Sequence, residues 1–310
     1  MDLSIVIPVY NGADTLPALW EQLRLALEPL GVEYEVIPVD DGSRDGSWTV
    51  LKDLQARFPQ SIFPVQLMRN YGQHNALLCG IRAAQSPLIV TIDDDLQNPP
   101  SEIPRLLDKL REGFDVVYGV SDQGQHGLWR NVASRVTKIA LQSAMGAEIA
   151  RQVSAFRAFR TAVRKGFENF HGPFVSIDVL LTWGTTRFSS VSVRMDPRPA
   201  GSSGYTFRKL IAHALNMVTG FSVLPLQLAS LAGFSMMLFG LGVLAYVLGR
   251  FLVQGSSVAG FPFLASIIAI FSGVQLFSLG VIGEYLARMH FRLMDRPAYT
   301  TRESRRKERG

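Results

Sequence analysis

The sequence predicts an α/β domain built on a mostly parallel sheet, followed by a two-helix transmembrane hairpin. Three observations carry this reading. Short apolar runs alternate with helically spaced apolar residues through roughly the first hundred positions. Acidic clusters follow two of those runs, at Asp40-Asp41 and at Asp93-Asp94-Asp95. Farther along, Ala214 to Gly249 and Phe251 to Gly283 carry no charge and are separated only by Arg250.

Leu3 to Val9 is an apolar run stopped by the turn signal Asn11-Gly12, and it reads as the first strand. Leu16, Leu19, Trp20, Leu23 and Leu27 then recur at helical spacing. Tyr34 to Val39 is the second strand, ended by Asp40-Asp41-Gly42-Ser43, and Trp48, Leu51, Leu54 and Phe58 mark the next helix. Val65 to Met68, Ala76 to Ala84 and Leu88 to Ile92 repeat the scheme as strand, helix and strand, and Asp115 to Gly119 reads as a further strand. Ligands in such sheets bind beyond the carboxyl ends of the strands, so the two acidic clusters are expected to converge on one site.

Leu128 to Met145 carries Val132, Val136, Ile139 and Ala140 on one stripe, with Arg130, Arg135 and Lys138 nearby. It suits an amphipathic helix, on the sheet or on a membrane surface. Tyr205 to Val218 mixes Phe207, Ile211, Leu215 and Val218 with Arg208, Lys209 and His213. That segment runs straight into a membrane span, and an interfacial position is expected for it.

A helix needs about 20 apolar residues to cross the roughly 30 Å hydrocarbon core. The stretches from Leu226 to Leu248 and from Phe261 to Ile282 exceed that length. A buried pair of helices in a soluble core is disfavoured, because neither stretch has a polar face. The expected organisation is a cytoplasmic α/β domain over 1–204 and a juxtamembrane helix over 205–220. Two spans of about 226–249 and 261–283 follow within 221–286, and then a basic tail over 287–310.

Charged residues make up 18% of the chain, below the usual level of about a quarter, and the apolar spans explain the dilution. The formal net charge is +5 and the sequence pI about 9.5. Much of the basic excess lies in the tail, from Arg288 to Arg309. Its place after a span favours anionic lipid headgroups over nucleic acid as its partner. Basic loops stay cytoplasmic, which puts the tail inside, and two crossings then put the N-terminal domain inside as well. No signal peptide is expected, since Met1-Asp2 leads directly into the first strand. Cys79 is the single cysteine, so no intrachain disulfide forms, in keeping with a cytoplasmic domain.

Asp93-Asp94-Asp95-Leu96-Gln97 is the segment richest in chemistry. Adjacent carboxylates repel one another unless a cation or a solvated turn relieves them. Carboxylate and amide oxygens suit a hard divalent ion, Mg²⁺ or Mn²⁺. Strand-like alternation would set Asp93, Asp95 and Gln97 on one side and Asp94 on the other. An EF-hand loop fails here, with Asn98 where glycine is required and Pro104 where glutamate is required. It fails again at Asp41 to Lys52, where lysine takes the glutamate position. The sequence holds no G-x-x-x-x-G-K-[ST] loop, G-x-G-x-x-G turn, G-x-S-x-G elbow or H-E-x-x-H helix, which disfavours the enzyme classes built on them. His74, His126 and His171 are isolated in sequence and read as structural.

Several ordered motifs match a known pattern. They are Ile7-Pro8-Val9-Tyr10-Asn11, Val39-Asp40-Asp41-Gly42-Ser43, Arg69-Asn70-Tyr71-Gly72 and Asp93-Asp94-Asp95-Leu96-Gln97. Asp115 to Gly119, Asp196-Pro197-Arg198 with Gly201 to Tyr205, and Gly280 to Leu286 continue the series. In order and spacing the chain resembles the family 2 glycosyltransferases with the GT-A fold. Within them it looks like the polyprenyl-phosphate branch, which includes dolichyl-phosphate mannose synthases and bacterial undecaprenyl-phosphate sugar transferases. The resemblance covers nearly the whole chain, hairpin included. It implies a Rossmann-like GT-A catalytic domain and a metal-dependent enzyme.

The resemblance also implies roles. Pro8, Tyr10 and Asp41 would line the nucleoside pocket, with Asp40 close by and Asn11 and Asp94 in the same nucleotide-binding set. Asp93 would sit near ribose and metal, and Asp95 and Gln97 would ligate the metal. Arg198 would act in catalysis, contacting phosphates together with Ser203 and Tyr205, and Arg130 and Arg135 would attract the lipid phosphate. Many relatives carry Gly-Asp-Phe-Arg where this chain has Ser154-Ala155-Phe156-Arg157, and that aspartate is often taken as the catalytic base. A phosphate monoester has a second pKa of about 6, so a lipid phosphate is already largely dianionic and nucleophilic. Asp178 offers itself as a substitute polar anchor.

The expected function is transfer of one sugar, with inversion, from a nucleotide-diphosphate sugar to undecaprenyl phosphate at the cytoplasmic face of a bacterial inner membrane. Uridine is the base the resemblance favours, and either a formyl-aminoarabinose or a hexose donor is admissible. Two rivals stand beside it. A processive polysaccharide synthase would need a Gln-x-x-Arg-Trp motif and more spans than this chain has. A silent scaffold in a glycolipid assembly complex would fit Ala155 but not the intact acidic cluster. Gly233, Gly240 and Gly242 would permit close helix contacts, and with them a homo-oligomer.

Overall fold

A computed structural model of the protein describes residues 1–121, 153–172, 175–196, 224–254, 260–294 and 296–304. The segments expected as helices over 128–145 and 205–218 lie outside them. In chain order the domain contains β1 (Leu3–Val9), α1 (Leu16–Leu27), β2 (Tyr34–Asp40), α2 (Ser47–Arg57), β3 (Val65–Leu67) and α3 (Gln73–Ala83). These are followed by β4 (Leu88–Thr91), α4 (Ile103–Arg111), β5 (Val116–Ser121), β6 (Arg157–Arg160), α5 (Ile177–Gly184) and β7 (Phe188–Val193). Two long helices, Leu224–Gln254 and Phe261–Leu293, precede a last strand, β8 (Thr301–Ser304).

The strands form one sheet in the order β7-β5-β6-β4-β1-β2-β3-β8. Among the described strands, β6 and β8 alone run against the rest. Every residue of β1 is buried, because helices cover both faces of the sheet. Leu3, Ile5, Ile7 and Val9 point to one side and pack with Leu19, Leu23 and Leu106, while Val6 points to the other and packs with Leu77 and Ile81. Close approach of α3 to β1 requires Gly80, where a Cβ would strike the Val6 side chain.

The tail expected over 287–310 is a tail only in part. The second long helix continues to Leu293, and the chain then returns to the sheet. Ala298 and Tyr299 are buried in the α3 side of the core, and the Met68 N–H donates to the Thr300 carbonyl at 2.9 Å. β8 pairs antiparallel with β3, Leu67 opposite Thr301, and Lys52 pairs with Glu303 at 2.5 Å. Apolar burial and an unpaired sheet edge thus outweigh the basic character of the segment. Deleting residues 298–310 is expected to destabilise the domain by at least about 2 kcal/mol, the burial of Tyr299 alone. Thermal melting in detergent checks this, and an unchanged midpoint would mean the strand is ornamental.

The long helices have 31 and 33 residues and contain apolar stretches, Pro225–Arg250 and Ile270–His290, long enough to cross a membrane. The most apolar window of each has no buried residue, so these are not core helices of a soluble fold. Gly240 packs inside the hairpin, where a Cβ would meet the Phe271 ring, whereas Gly233 and Gly242 have nothing within 4 Å.

Both links between domain and hairpin leave the same edge of the sheet. β7 runs parallel to β5 and ends at the carboxyl edge, and the Asp196 N–H beyond it donates to the Gln97 carbonyl at 2.8 Å. On the return, β8 starts opposite Leu67, the last residue of β3. Seven residues, Met294 to Thr300, join the second long helix to β8, a reach of at most about 25 Å.

Candidate active site

An open cleft of about 240 Å³ lies at that carboxyl edge, lined by Pro8, Val9, Tyr10, Asp41, Asn70, Gly72, Gln73, Asp93, Asp94 and Asp95. Four strand ends supply it: β1, β2, β3 and β4. Parallel strands bring their carboxyl ends together, which is why residues far apart in sequence meet here.

The loops after β1 and β2 are tied to each other. The Asn11 N–H donates to Ser43 Oγ, and the Arg44 N–H donates to Asn11 Oδ1, each at 2.9 Å. Asn11 adopts a left-handed φ of 54° to do this, and it holds the loops rather than lining the cleft. Asp40 also lies outside the lining; its carboxylate accepts the Ser43 N–H at 3.0 Å and the Gln66 amide at 3.3 Å beneath the turn. Asp41 faces the cleft and accepts the N–H groups of Tyr71 and Gly72 at 2.7 and 2.8 Å.

Burial pushes the Asp41 carboxyl up to about 6, against the downward pull of those two N–H groups. The native state therefore holds this proton more tightly than the unfolded chain, where the group titrates at 3.8. Its contribution is most favourable below that value and falls by about 3 kcal/mol as pH rises to about 6, then levels off. Asp41→Asn is expected to flatten this part of the stability profile, read as denaturation midpoint against pH. An unchanged slope would assign the titration to another group.

The acidic turn departs from the expected alternation. β4 ends at Thr91, and Asp93, Asp94 and Asp95 all line the cleft. A left-handed φ of 60° at Leu96 bends the chain, so the period of two no longer applies. Asp94 is the deepest, its Oδ2 buried with no hydrogen-bond partner and set against Gly12, where a Cβ would collide with it. Burial first, then the charges of Asp93 and Asp95, push Asp94 up to about 7, opposed by the Tyr10 N–H. Gln97 is not among the lining residues; its N–H donates to Asp95 Oδ1 at 3.2 Å.

Among the described residues no three His, Cys, Asp or Glu side chains converge as a metal cage. The oxygen donors of Asp93 and Asp95 nonetheless fit a hard divalent ion of the kind that takes one or two carboxylates and completes its shell with water and substrate phosphates. Between them in sequence, Asp94 Oδ2 is buried without a hydrogen-bond partner, a polar atom that nearby positive charge would favour.

Beneath the cleft lies a buried polar network that the sequence does not reveal. Arg157 of β6 pairs with Asp178 of α5, and both are almost fully buried. Arg157 Nε donates to Thr91 Oγ1 at 3.1 Å, Thr91 Oγ1 donates to the Ala155 carbonyl at 2.7 Å, and the Tyr118 hydroxyl donates to Asp178 at 3.2 Å. Asp178 is thus committed below the site instead of standing in for a base within it. The β4–β6 ladder runs from Leu88 opposite Arg160 to Thr91 opposite Arg157, so Ala155 lies just before β6, its carbonyl held by Thr91. His74 accepts the Ile177 N–H on Nδ1 at 3.3 Å, which ties α3 to α5. Arg130, Arg135, Arg198, Ser203 and Tyr205 lie outside the described residues.

Sequence reasoning assigned no role to Asn70, Gly72 or Gln73. They follow β3, so the strand-end rule that located the acidic clusters also covers them. The left-handed φ of 98° at Gly72, which opens α3 abruptly, is the local signal.

The family model described as Glycosyl transferase family 2 matches residues 4–167, the segment that supplies every lining residue of the cleft. The chain belongs to that family. This glycosyltransferase is 35% identical over 299 residues to the undecaprenyl-phosphate 4-deoxy-4-formamido-L-arabinose transferase of Pseudomonas paraeruginosa, covering 96% of this chain and 88% of the relative. It is 36% identical over 300 residues to the Yersinia pestis protein of the same name, covering 96% and 91%. Among solved structures, the glucosyl-3-phosphoglycerate synthase of M. tuberculosis aligns over 70% of this chain and 78% of its own, at 19% identity and a TM-score of 0.48. The family and the mixed sheet mark the domain as a GT-A glycosyltransferase, and two apolar helices follow it.

Proposed function

We propose that this glycosyltransferase moves a single sugar from a nucleotide-diphosphate sugar to undecaprenyl phosphate at the cytoplasmic face of a bacterial inner membrane. One observation carries the reading: the acidic cleft opens at the edge of the sheet from which both links to the hairpin depart. On this reading the cleft would face the headgroup plane, where a lipid acceptor presents its phosphate. The pairing of β8 with β3 also requires the domain and the end of the hairpin to lie on one side of the membrane. Two crossings and the basic residues after Glu284 support the cytoplasm as that side. The names of the curated relatives support the acceptor.

Pro8, Tyr10 and Asp41 would hold the nucleoside, with uridine the favoured base, and Asp93 would sit between ribose and cation. Asp93 and Asp95 would hold Mg²⁺ or Mn²⁺, with Gln97 reaching it from beside the cleft; the ion would supply charge that stabilises the departing diphosphate. A lipid phosphate oxygen attacks the anomeric carbon in line, and the configuration inverts. Ala155 supplies a methyl group in place of the carboxylate that many relatives carry, which a dianionic phosphate nucleophile tolerates. Arg198, with Ser203 and Tyr205, would contact the phosphates, and Arg130 and Arg135 would attract the acceptor.

Release of nucleoside diphosphate by the purified protein tests this, with Mn²⁺ or Mg²⁺, undecaprenyl phosphate and a panel of nucleotide sugars. Release that requires both metal and lipid is expected. Donor binding without release from any sugar would instead favour a silent scaffold, with Ala155 as the lesion.

A further inference from the structure

Asp93 is held by a residue outside the acidic turn. The Gln73 side-chain amide donates from Nε2 to Asp93 Oδ1 at 2.7 Å, and Gln73 lines the same cleft. It is the first residue of α3, and the start of α3 is fixed from several directions. Asp41 clamps the N–H groups of Tyr71 and Gly72, and the Asn75 amide donates to the Tyr71 carbonyl at 2.6 Å. Gln73 therefore projects from a rigid base. The strand behind Asp93 is equally fixed, because Thr91 is bonded to the Ala155 carbonyl and to Arg157. The contact bridges two rigid elements across the mouth of the cleft.

The chemistry of the bridging group matters. Three adjacent carboxylates repel and would splay apart if each were free to rotate. A lysine or arginine at position 73 would relieve the repulsion by neutralising Asp93, and would compete with any cation. A neutral amide donor fixes the plane of the carboxylate and leaves its charge intact. We propose that Gln73 is a positioning residue that presents Asp93 to the divalent cation of the donor complex. This rests on the reading of Asp93 and Asp95 as cation ligands. Hydrogen-bond partners behind metal ligands of this kind typically cost about 10–100-fold in metal affinity when removed.

The test is Mn²⁺ binding to the full-length protein in detergent with uridine diphosphate present, followed by electron paramagnetic resonance of the free ion. Gln73→Ala is expected to weaken Mn²⁺ about 10–100-fold, and the half-saturating Mn²⁺ for turnover rises by the same factor. Gln73→Lys, which keeps a donor but adds a positive charge, weakens Mn²⁺ at least as much. Thermal melting of both variants at the wild-type temperature shows that the loss is local. Mn²⁺ affinity of Gln73→Ala within twofold of wild type overturns the role of Gln73 while the cation reading stands. A wild-type protein that binds no Mn²⁺ with the nucleotide, and whose Asp95→Asn variant is indistinguishable from it, overturns the cation reading itself.

Discussion

Asp95→Asn is expected to abolish most transfer to the lipid, lowering turnover more than about 100-fold, in a protein that still folds and inserts. Cation stabilisation of a departing group is worth several kcal/mol, and each 1.36 kcal/mol is about a factor of ten in rate. Asp95 lines the cleft with Asp93, and both are only partly buried. Asparagine keeps the shape and one oxygen but removes the charge that a divalent ion requires. Folding should survive, because the substitution also removes part of the repulsion that pushes up the neighbouring Asp94. The measurements are lipid-linked product formed per minute and the melting temperature. Turnover within threefold of wild type, with unchanged metal dependence, would remove Asp95 from the ligand set.

Arg157→Ala is expected to be the most destabilising single change in the domain. Arg157 and Asp178 are both buried, and removing the arginine leaves a carboxylate in the core without its partner. Breaking a buried pair from one side typically costs about 3–5 kcal/mol, a large share of the roughly 5–15 kcal/mol that holds a domain together. Thr91 and the Ala155 carbonyl lose a shared partner as well, so the strand end carrying the acidic turn loosens. Arg157→Met combined with Asp178→Leu should recover much of the loss, because no charge is then stranded. Chemical denaturation of the single and double variants checks both points. A single variant as stable as wild type would show that water reaches Asp178.

The two effects differ in how visible they were in the sequence. Asp95 stands in a run of acids after an apolar strand, and the strand-end rule located it directly. The apolar elements were equally legible: Leu3–Val9 and Leu16–Leu27 occupy the residues their patterns marked, because both are buried on repeating faces. Arg157 was legible only as part of a motif. In Arg157–Arg160 charged residues flank the strand, and the pattern suits a strand only once Asp178, from a separate helix, neutralises the buried guanidinium. β8 was hidden for a related reason. Thr301–Ser304 is polar throughout, and a four-residue edge strand is defined by the partner it finds, not by its own periodicity. The geometry of the acidic turn was also out of reach, since the bend at Leu96 and the space left by Gly12 are tertiary facts.

The return of β8 to β3 has a consequence in time. Ribosomes make the third strand early and its neighbour only after the whole hairpin, so on the proposed topology the nascent domain would carry a bare edge at β3 while the hairpin inserts. The sheet is completed only when Thr301–Ser304 reaches the side of the membrane where the domain waits. A chain whose hairpin inserts the wrong way round, or stops after one crossing, strands its last strand on the far side and keeps an unsealed edge. On the proposed topology, closure of the sheet would therefore depend on correct insertion of the hairpin.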